Sequence, residues 1–182
     1  GRGMACFDLR GFGAGAVIVL LATAGVAEAA SGTIVAIGTS NTRGRGVALS
    51  QAYPSQLQAA LKARGHNVRV VNMGVNGASS AEVLANSRSI PGGTTLVLYE
   101  YARDNDRRKR VMNGGSNMSA LQAELSARGI RNIDVTGAFA NQYRSAFSRG
   151  MLVLDAEPHL NPQAYAELVQ SILPEVEAAL GR

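Results

Sequence analysis

The chain has 182 residues, enough for one compact domain with its own hydrophobic core. With 46% hydrophobic and 17% charged residues, its composition is typical of a soluble globular protein. The net charge of +5 does not indicate a nucleic-acid partner, because the basic residues concentrate in Arg103–Arg110, where two aspartates interrupt them and no aromatic residue alternates with them. That segment is typical of a solvated, partly self-paired loop.

The first thirty residues have the pattern of an export signal. Arg10 precedes an apolar run from Phe12 to Val26, and Ala27-Glu28-Ala29 follows it as a small-x-small cleavage motif. The run is shorter than the roughly 20 residues of a membrane-spanning helix; an uncleaved anchor or a buried core helix is the alternative. We predict a signal peptide over residues 1–29, a single domain over residues 30–182, a periplasmic or secreted location and no stable membrane anchor.

Thiol and metal chemistry have little support in the sequence. The only cysteine, Cys6, lies within the predicted signal peptide, so the mature domain has no disulfide and no thiol nucleophile. The two histidines, His66 and His159, are widely separated and do not form a ligand set. We expect no metal, no cofactor and a monomeric protein.

Beyond the signal, β-branched apolar runs alternate with segments whose apolar residues have helical spacing. In chain order, the patterns predict strand Thr33–Ile37, loop Gly38–Ser50, helix Pro54–Arg64, strand Val68–Asn72, helix Ser79–Ser89, strand Thr94–Tyr101, the basic loop Arg103–Arg110, helix Met118–Arg128, strand Ile130–Val135, helix Phe139–Ser148, a short edge strand Met151–Leu154 and helix Pro162–Leu180. This alternation predicts an α/β fold, a three-layer α/β/α sandwich around a mostly parallel sheet.

Polar, glycine-rich segments follow three of the predicted strands, at Gly38–Thr42, Gly74–Ser79 and Arg103–Asp106. In a parallel sheet, ligands bind beyond the carboxyl ends of the strands, where the strand order reverses. Ser40 lies in the first of these segments, at a strand-to-helix turn whose backbone N–H groups can hold a developing oxyanion. A serine there is a candidate nucleophile, but it needs a base within hydrogen-bond reach.

His159 is the candidate base. It lies after a strand-like segment and directly before the last predicted helix, with Asp155 and Glu157 close enough in sequence to orient its ring. His66 lies in a helix-to-strand turn, which places it on the opposite edge of the sheet, and we expect it to be a solvated surface residue.

These residues resemble the conserved blocks of the SGNH (GDSL-type) hydrolase superfamily, and the resemblance extends over roughly Thr33 to Leu180. Ser40 falls on the nucleophile of the Gly-Asp-Ser block, and Gly77 falls on the oxyanion-hole glycine of the second block. Asn105 falls on the asparagine of the Gly-x-Asn-Asp block, and His159 on the histidine of the C-terminal block. The pattern looks like the bacterial lysophospholipase, acyl-thioesterase and arylesterase branch.

The resemblance implies a flavodoxin-like SGNH hydrolase fold. It also implies an oxyanion hole built from the Ser40 N–H, the Gly77 N–H and the Asn105 side chain. Three positions depart from the family pattern: Thr39 replaces an aspartate, Arg103 replaces a glycine, and Ala156 stands where the family has its catalytic aspartate.

The displaced acid leaves three arrangements of the histidine open. Asp155 is the expected partner of His159, because it directly follows the strand-like segment, whereas Pro158 restricts the backbone of Glu157. A backbone carbonyl that holds the ring, giving a Ser-His dyad, is the third arrangement.

The predicted function is a serine esterase that hydrolyses small or medium acyl esters, with Ser40, His159 and Asp155 as its catalytic residues. A weakened or inactive binding protein on the same fold is the alternative, because the family aspartate is missing. A phosphate-cradling loop at Gly38–Thr42 in a flavodoxin-like protein is a third hypothesis. It has little support, since only Tyr99 and Tyr101 could stack on a flavin.

Overall fold

The computed structural model of the protein describes residues 29–154 and 157–181. Almost all of the predicted signal peptide, residues 1–28, lies outside the described residues. In chain order the elements are β1 (Ser31–Gly38), α1 (Ser40–Arg43), a short 3-10 turn (Leu49–Gln51), α2 (Tyr53–Ala63), β2 (Asn67–Gly74), α3 (Ser80–Ser87), β3 (Thr94–Tyr99), α4 (Arg103–Lys109), α5 (Gly114–Ala127), β4 (Arg131–Asp134), α6 (Thr136–Ser148), β5 (Leu152–Leu154), β6 (Pro158–Leu160) and α7 (Pro162–Leu180).

The main sheet has four strands in the order β2-β1-β3-β4, and every neighbouring pair is parallel. The predicted α/β class with a parallel sheet is therefore confirmed. From β1 the chain moves outward to β2 and then returns to the other side of β1 as β3. The strand order reverses between β1 and β3, so a crevice opens beyond the carboxyl ends of these two strands.

Alternate residues of the central strands face two different hydrophobic cores. In β1, Ile34 and Ala36 pack into one core, while Val35 and Ile37 pack into the other. Helices α2, α6 and α7 cover the first face, and α3 and α5 cover the second. Continuous apolar runs form these strands because both faces are buried, and the result is the predicted three-layer sandwich. Within the described ranges, no helix is both long and apolar enough to cross a bilayer.

The predicted basic loop Arg103–Arg110 is wrong in its secondary structure, since most of it forms α4. Asp104 and Asp106 lie in the first turn of this helix, and three basic residues lie in its last turn. This charge order favours a helix, because acids stabilise the positive N-terminal end of the helix dipole and bases the negative C-terminal end. The expected self-pairing is present between Arg107 and Asp104, whose charged atoms lie 3.2 Å apart.

The predicted loop Gly38–Ser50 also contains a short helix, α1. The Thr39 hydroxyl accepts a hydrogen bond from the Asn41 N–H at 3.3 Å, and Gly44 ends the helix with a left-handed backbone at φ 83°. Gly74 at the end of β2 packs directly on this helix, where a Cβ atom would lie 2.2 Å from the Arg43 nitrogen. Glycine is required there because backbone meets backbone.

The segment predicted as an edge strand, Met151–Leu154, does not join the main sheet. Leu152–Leu154 pairs antiparallel with Pro158–Leu160 to form a separate two-stranded ribbon, in which Val153 lies opposite His159. The ribbon lies immediately before α7, the C-terminal helix.

The prediction of His66 as a solvated side chain is also wrong. Its Nδ1 atom accepts a hydrogen bond from the Ala30 N–H at 3.1 Å, and its Nε2 atom lies 3.2 Å from Glu177 Oε1 on α7. The C-terminal part of α7 covers this edge of the sheet, so the ring is largely buried between the chain entry to β1 and the last helix.

A buried carboxyl group, Glu100, supports the turn after β1. Its Oε1 atom accepts hydrogen bonds from the Thr39 N–H at 2.6 Å, the Thr39 hydroxyl at 2.9 Å and the Thr42 hydroxyl at 2.9 Å. Burial raises the pKa of Glu100 above its ordinary value of 4.5, and these hydrogen bonds partly oppose that effect. The end of β3 is thereby fastened to the turn that carries Ser40.

We predict that Glu100→Gln flattens the pH dependence of stability. Because burial raises the folded-state pKa of Glu100, its contribution is fully present below pH 4.5 and is lost as the pH rises through the raised pKa. Glutamine keeps the accepting oxygen but has no charge to bury. Relative to wild type, the variant should therefore gain up to about 1.4 kcal/mol of unfolding free energy per pH unit within that window. Urea unfolding at pH 4 to 8 measures the difference.

Glu175→Gln, at an exposed position on α7, is the matched control and should give a curve parallel to that of wild type. Parallel curves for wild type and Glu100→Gln would contradict the titration of Glu100 in this range.

Candidate active site

A cleft of about 930 Å³ opens beyond the carboxyl edge of the sheet, at the β1–β3 crevice. Its walls come from the turn after β1, the N-terminal part of α4, helix α6 and strand β6. Of the residues predicted for the site, Ser40, Asn105 and His159 line this cleft. The topology therefore brings together side chains from three distant parts of the sequence.

Ser40 is the first residue of α1 and follows the extended N-cap residue Thr39. Ser40 lines the cleft and is 8% exposed. The Oγ atom lies 2.9 Å from His159 Nε2, within hydrogen-bond distance. The structure thus joins the predicted nucleophile to the predicted base.

His159 is the middle residue of β6 and is 3% exposed. Its Nδ1 atom lies 2.8 Å from the main-chain carbonyl oxygen of Glu157. A carbonyl oxygen only accepts hydrogen bonds, so this contact requires the ring proton on Nδ1. The Nε2 atom is then left with a lone pair to accept the Ser40 hydroxyl proton, which is the tautomer that a general base needs.

Asn105 lies in the first turn of α4 and is 4% exposed. Its Nδ2 atom donates to the Ala78 carbonyl at 2.9 Å, which ties α4 to the loop after β2. Its Oδ1 atom accepts a hydrogen bond from the guanidinium of Arg108. An amide nitrogen has two hydrogens, so one remains for a group bound in the cleft that Asn105 lines.

Gly77 lies in the loop after β2, next to Ala78, with a positive φ of 71°. It is not among the residues that line the cleft, although the Asn105–Ala78 hydrogen bond holds its loop against α4. In the described part of the chain, neither the Gly77 N–H nor the Ser40 N–H donates to a protein acceptor. Neither N–H is therefore occupied by a protein acceptor, and of the two residues Ser40 lines the cleft.

Of the two acids considered as partners of His159, Asp155 lies outside the described residues. The Glu157 carboxylate forms an ion pair with Arg108. The main-chain carbonyl of Glu157 supplies an acceptor at Nδ1, as described above. The backbone contact of the third arrangement is thus present, and the role of Asp155 stays a prediction.

Sequence reasoning missed three residues that shape the site. Glu100 supports the Ser40 turn, and its signal is an acid that directly ends a continuous buried strand. Arg108 bonds Asn105 from the next turn of α4, a spacing of three residues that a helical assignment of the basic segment makes visible. Tyr143 donates to the Asn41 side chain at 2.8 Å and has no local signal, since the two residues are 102 positions apart.

Asn41, the neighbour of Ser40, is held from two sides. Besides the Tyr143 contact, its main-chain oxygen accepts from the Tyr165 hydroxyl at 2.9 Å. Burial raises the pKa of Tyr143 and of Tyr165, so both hydroxyls remain protonated donors at neutral pH.

Residues 29–154 and 157–181 contain no group of three His, Cys, Asp or Glu side chains placed to hold a metal ion.

No protein-family model matches the chain, and no curated protein matches it in sequence. Several solved structures do match it in fold. The crystal structure of TesA matches with a TM-score of 0.65 and 22% identity over 81% of this chain and 99% of that one. The esterase EstA from Pseudoalteromonas sp., inhibited by monoethylphosphonate, matches with a TM-score of 0.64 and 16% identity over 83% and 100%.

The crystal structure of AlinE4, a SGNH-hydrolase family esterase, matches with a TM-score of 0.58 and 23% identity. This match covers 82% of this chain and 97% of that one, so the likeness extends over nearly the whole length of each relative. The strand order, the covered faces and these likenesses agree, and the chain has the SGNH hydrolase fold.

Proposed function

We propose that the protein is a serine hydrolase that cleaves small or medium acyl esters through an acyl-enzyme on Ser40. The observation that carries the proposal is the 2.9 Å contact between Ser40 Oγ and His159 Nε2 in an open cleft. A serine hydroxyl is a weak nucleophile until an adjacent base takes its proton. The Nδ1 contact with the Glu157 carbonyl supports the required tautomer.

In the proposed reaction, Ser40 Oγ attacks the ester carbonyl carbon as His159 Nε2 takes the hydroxyl proton. The tetrahedral intermediate collapses when the C–O bond to the leaving group breaks, and the imidazolium returns the proton to the departing alkoxide. A water molecule then attacks the acyl-enzyme, again giving its proton to His159. Breakdown of the second intermediate releases the carboxylic acid and restores the Ser40 hydroxyl.

The oxyanion of each intermediate needs hydrogen-bond donors that are already in place. We propose the Asn105 side-chain amide, the Ser40 N–H and the Gly77 N–H for this role. The remaining Asn105 amide hydrogen and the two backbone groups without a protein acceptor support the assignment. Two of the structural relatives, EstA and AlinE4, are named as esterases, which favours the same reaction class here.

A catalytically inactive binding protein on the same fold is the alternative. Ala156, which stands where the family has its aspartate three residues before His159, favours this alternative. The paired Ser40 and His159 side chains weigh against it, since a binding site has no need of a nucleophile in contact with a base.

We also propose that the protein is exported as a soluble monomer, that it works in the periplasm or outside the cell, and that it takes an acyl ester rather than a nucleic acid as its partner. Ala27-Glu28-Ala29 and the preceding apolar run support cleavage directly before the described domain. N-terminal sequencing of protein from a periplasmic fraction should begin at or near Ala30. An intact Met4 start recovered from the cytoplasm would contradict export.

We predict that Ser40→Ala lowers kcat for p-nitrophenyl acetate or butyrate by about 10³-fold or more, because no other group replaces the nucleophile. The variant should also lose covalent labelling by a fluorophosphonate probe, which reacts only with an activated serine. Circular dichroism should show an unchanged fold, since Ser40 Oγ contacts the base rather than the core.

Ser119→Ala, at an exposed position on α5, is the matched control and should keep both the rate and the labelling. Wild-type rates and labelling in Ser40→Ala would remove Ser40 from the mechanism. A wild-type protein that neither hydrolyses these esters nor reacts with the probe would favour the binding protein.

The sequence prediction for Asp155 has its own test. The Glu157 carbonyl already supports the ring tautomer, so an Asp155 carboxylate would chiefly stabilise the positive charge of the imidazolium. We predict that Asp155→Asn lowers kcat by about 10- to 100-fold with little change in KM, less than where the acid alone sets the tautomer. Glu157→Gln should be nearly silent, because glutamine still offers Arg108 an oxygen acceptor.

Both variants are measured on one soluble ester at a pH above the histidine pKa. The opposite ranking would transfer the role of the acid to Glu157. Two silent variants would show that the main chain alone orients His159.

A further inference from the structure

Arg108 joins two parts of the site that lie on different elements. Its guanidinium donates to Asn105 Oδ1 through Nη2 and forms an ion pair with the Glu157 carboxylate through Nη1. Resting on the proposed function, we propose that Arg108 is a positioning residue that orients the Asn105 amide as an oxyanion donor.

The chemistry of the contacts determines which way the amide points. A guanidinium has only donors, so it can hold the amide oxygen but not the amide nitrogen. The Ala78 carbonyl has only an acceptor, so it can hold the nitrogen but not the oxygen. With both partners in place, a flipped Asn105 would lose two hydrogen bonds, and Nδ2 stays on the side where its second hydrogen can serve the oxyanion.

A cation at the amide oxygen also changes the donor itself. Hydrogen bonds in a chain polarise one another, so a charged donor at Oδ1 draws electron density from the amide and strengthens the N–H donors at Nδ2. The developing oxyanion therefore meets a donor that is both fixed in direction and more acidic than a free amide.

The position of Arg108 suits this role and does not suit a purely stabilising one. It lies one helical turn after Asn105 on α4, so its side chain reaches back along the same face of the helix. Its side chain is 53% exposed, and an ion pair at such a surface contributes little to stability.

The ion pair ends on Glu157, whose main-chain carbonyl contacts His159 Nδ1. Through this one residue, Arg108 links the oxyanion side of the site to the strand that carries the base. Although its side chain is half exposed, Arg108 is thus held at the wall of the cleft by both contacts.

Arg108 lines the cleft, so direct binding of a substrate anion is the competing role. The two roles affect different constants. Loss of a direct substrate contact raises KM, whereas misplacement of an oxyanion donor lowers kcat, because the oxyanion exists only in the transition state and the intermediates.

The test is a double-mutant cycle of Arg108→Ala and Asn105→Ala, with kcat and KM measured on p-nitrophenyl acetate. We expect Asn105→Ala to lower kcat by about 100-fold or more. Arg108→Ala should lower kcat by about 10-fold and leave KM within about twofold, since the donor is present but no longer held. In the double variant, the loss of Arg108 should have no further effect, because the group it positions is already missing.

Two further variants sharpen the test. Arg107→Ala removes the neighbouring arginine of α4, which pairs only with Asp104 among the contacts described, and should leave both constants unchanged. Arg108→Lys keeps the charge but cannot reproduce the two-pronged contact, so it should not restore kcat. Independent, multiplying losses in the double variant, a change confined to KM, or full rescue by lysine would each overturn the proposal.

A second readout separates this proposal from the proposed function. The Asn105 side-chain amide should give two well-separated, exchange-protected proton resonances in wild-type protein and in Arg107→Ala, and should lose that protection in Arg108→Ala. If wild type hydrolyses no ester, the proposed function fails, and the amide spectrum alone decides the positioning. An amide that is equally protected with and without Arg108 would overturn it.

Discussion

The hydrogen bond between Ser40 and His159 joins residues that are 119 positions apart. Its length depends on how the elements that carry these two residues pack against each other. Ser40 is fixed by the end of β1, which is buried on both faces of a parallel sheet. His159 belongs to a ribbon outside that sheet, and its position depends on α7, whose apolar side packs into the core beside α2 and α6. Because β1 and the ribbon belong to different sheets, the distance between Ser40 and His159 depends on the packing of α7 against the core.

The reversal of strand order gives the site its second constraint. Because β1 and β3 are neighbours whose following segments lead away in opposite directions, polar groups from both strands can meet without crossing a helix. Glu100, directly after β3, accepts hydrogen bonds from the Thr39 N–H and hydroxyl and so connects β3 to the turn after β1. Asn105, on the helix that follows β3, lines the cleft. The β1–β3 crevice therefore contains both a structural hydrogen-bond network and the open site.

Much of the architecture could be predicted from periodicity, since the buried strands are apolar runs and the bounds predicted for α7, Pro162–Leu180, agree with the structure. The short helices α1 and α4 could not be predicted in this way, because caps and charge order rather than apolar spacing stabilise them. The pairing of Leu152–Leu154 with Pro158–Leu160 could not be predicted for another reason, because an apolar run of three residues does not specify its partner strand. For the site, the polar strand ends indicated that Ser40 and Asn105 would share an edge, but pairings such as Thr39 with Glu100, 61 residues apart, have no local signal.

The main-chain acceptor at His159 Nδ1 has a consequence for the substitutions that the ribbon tolerates. A carbonyl oxygen belongs to the backbone, so any residue at position 157 that keeps the local path of the chain can hold the ring. The requirement is encoded by shape rather than by residue type, and substitution of a side chain does not erase it.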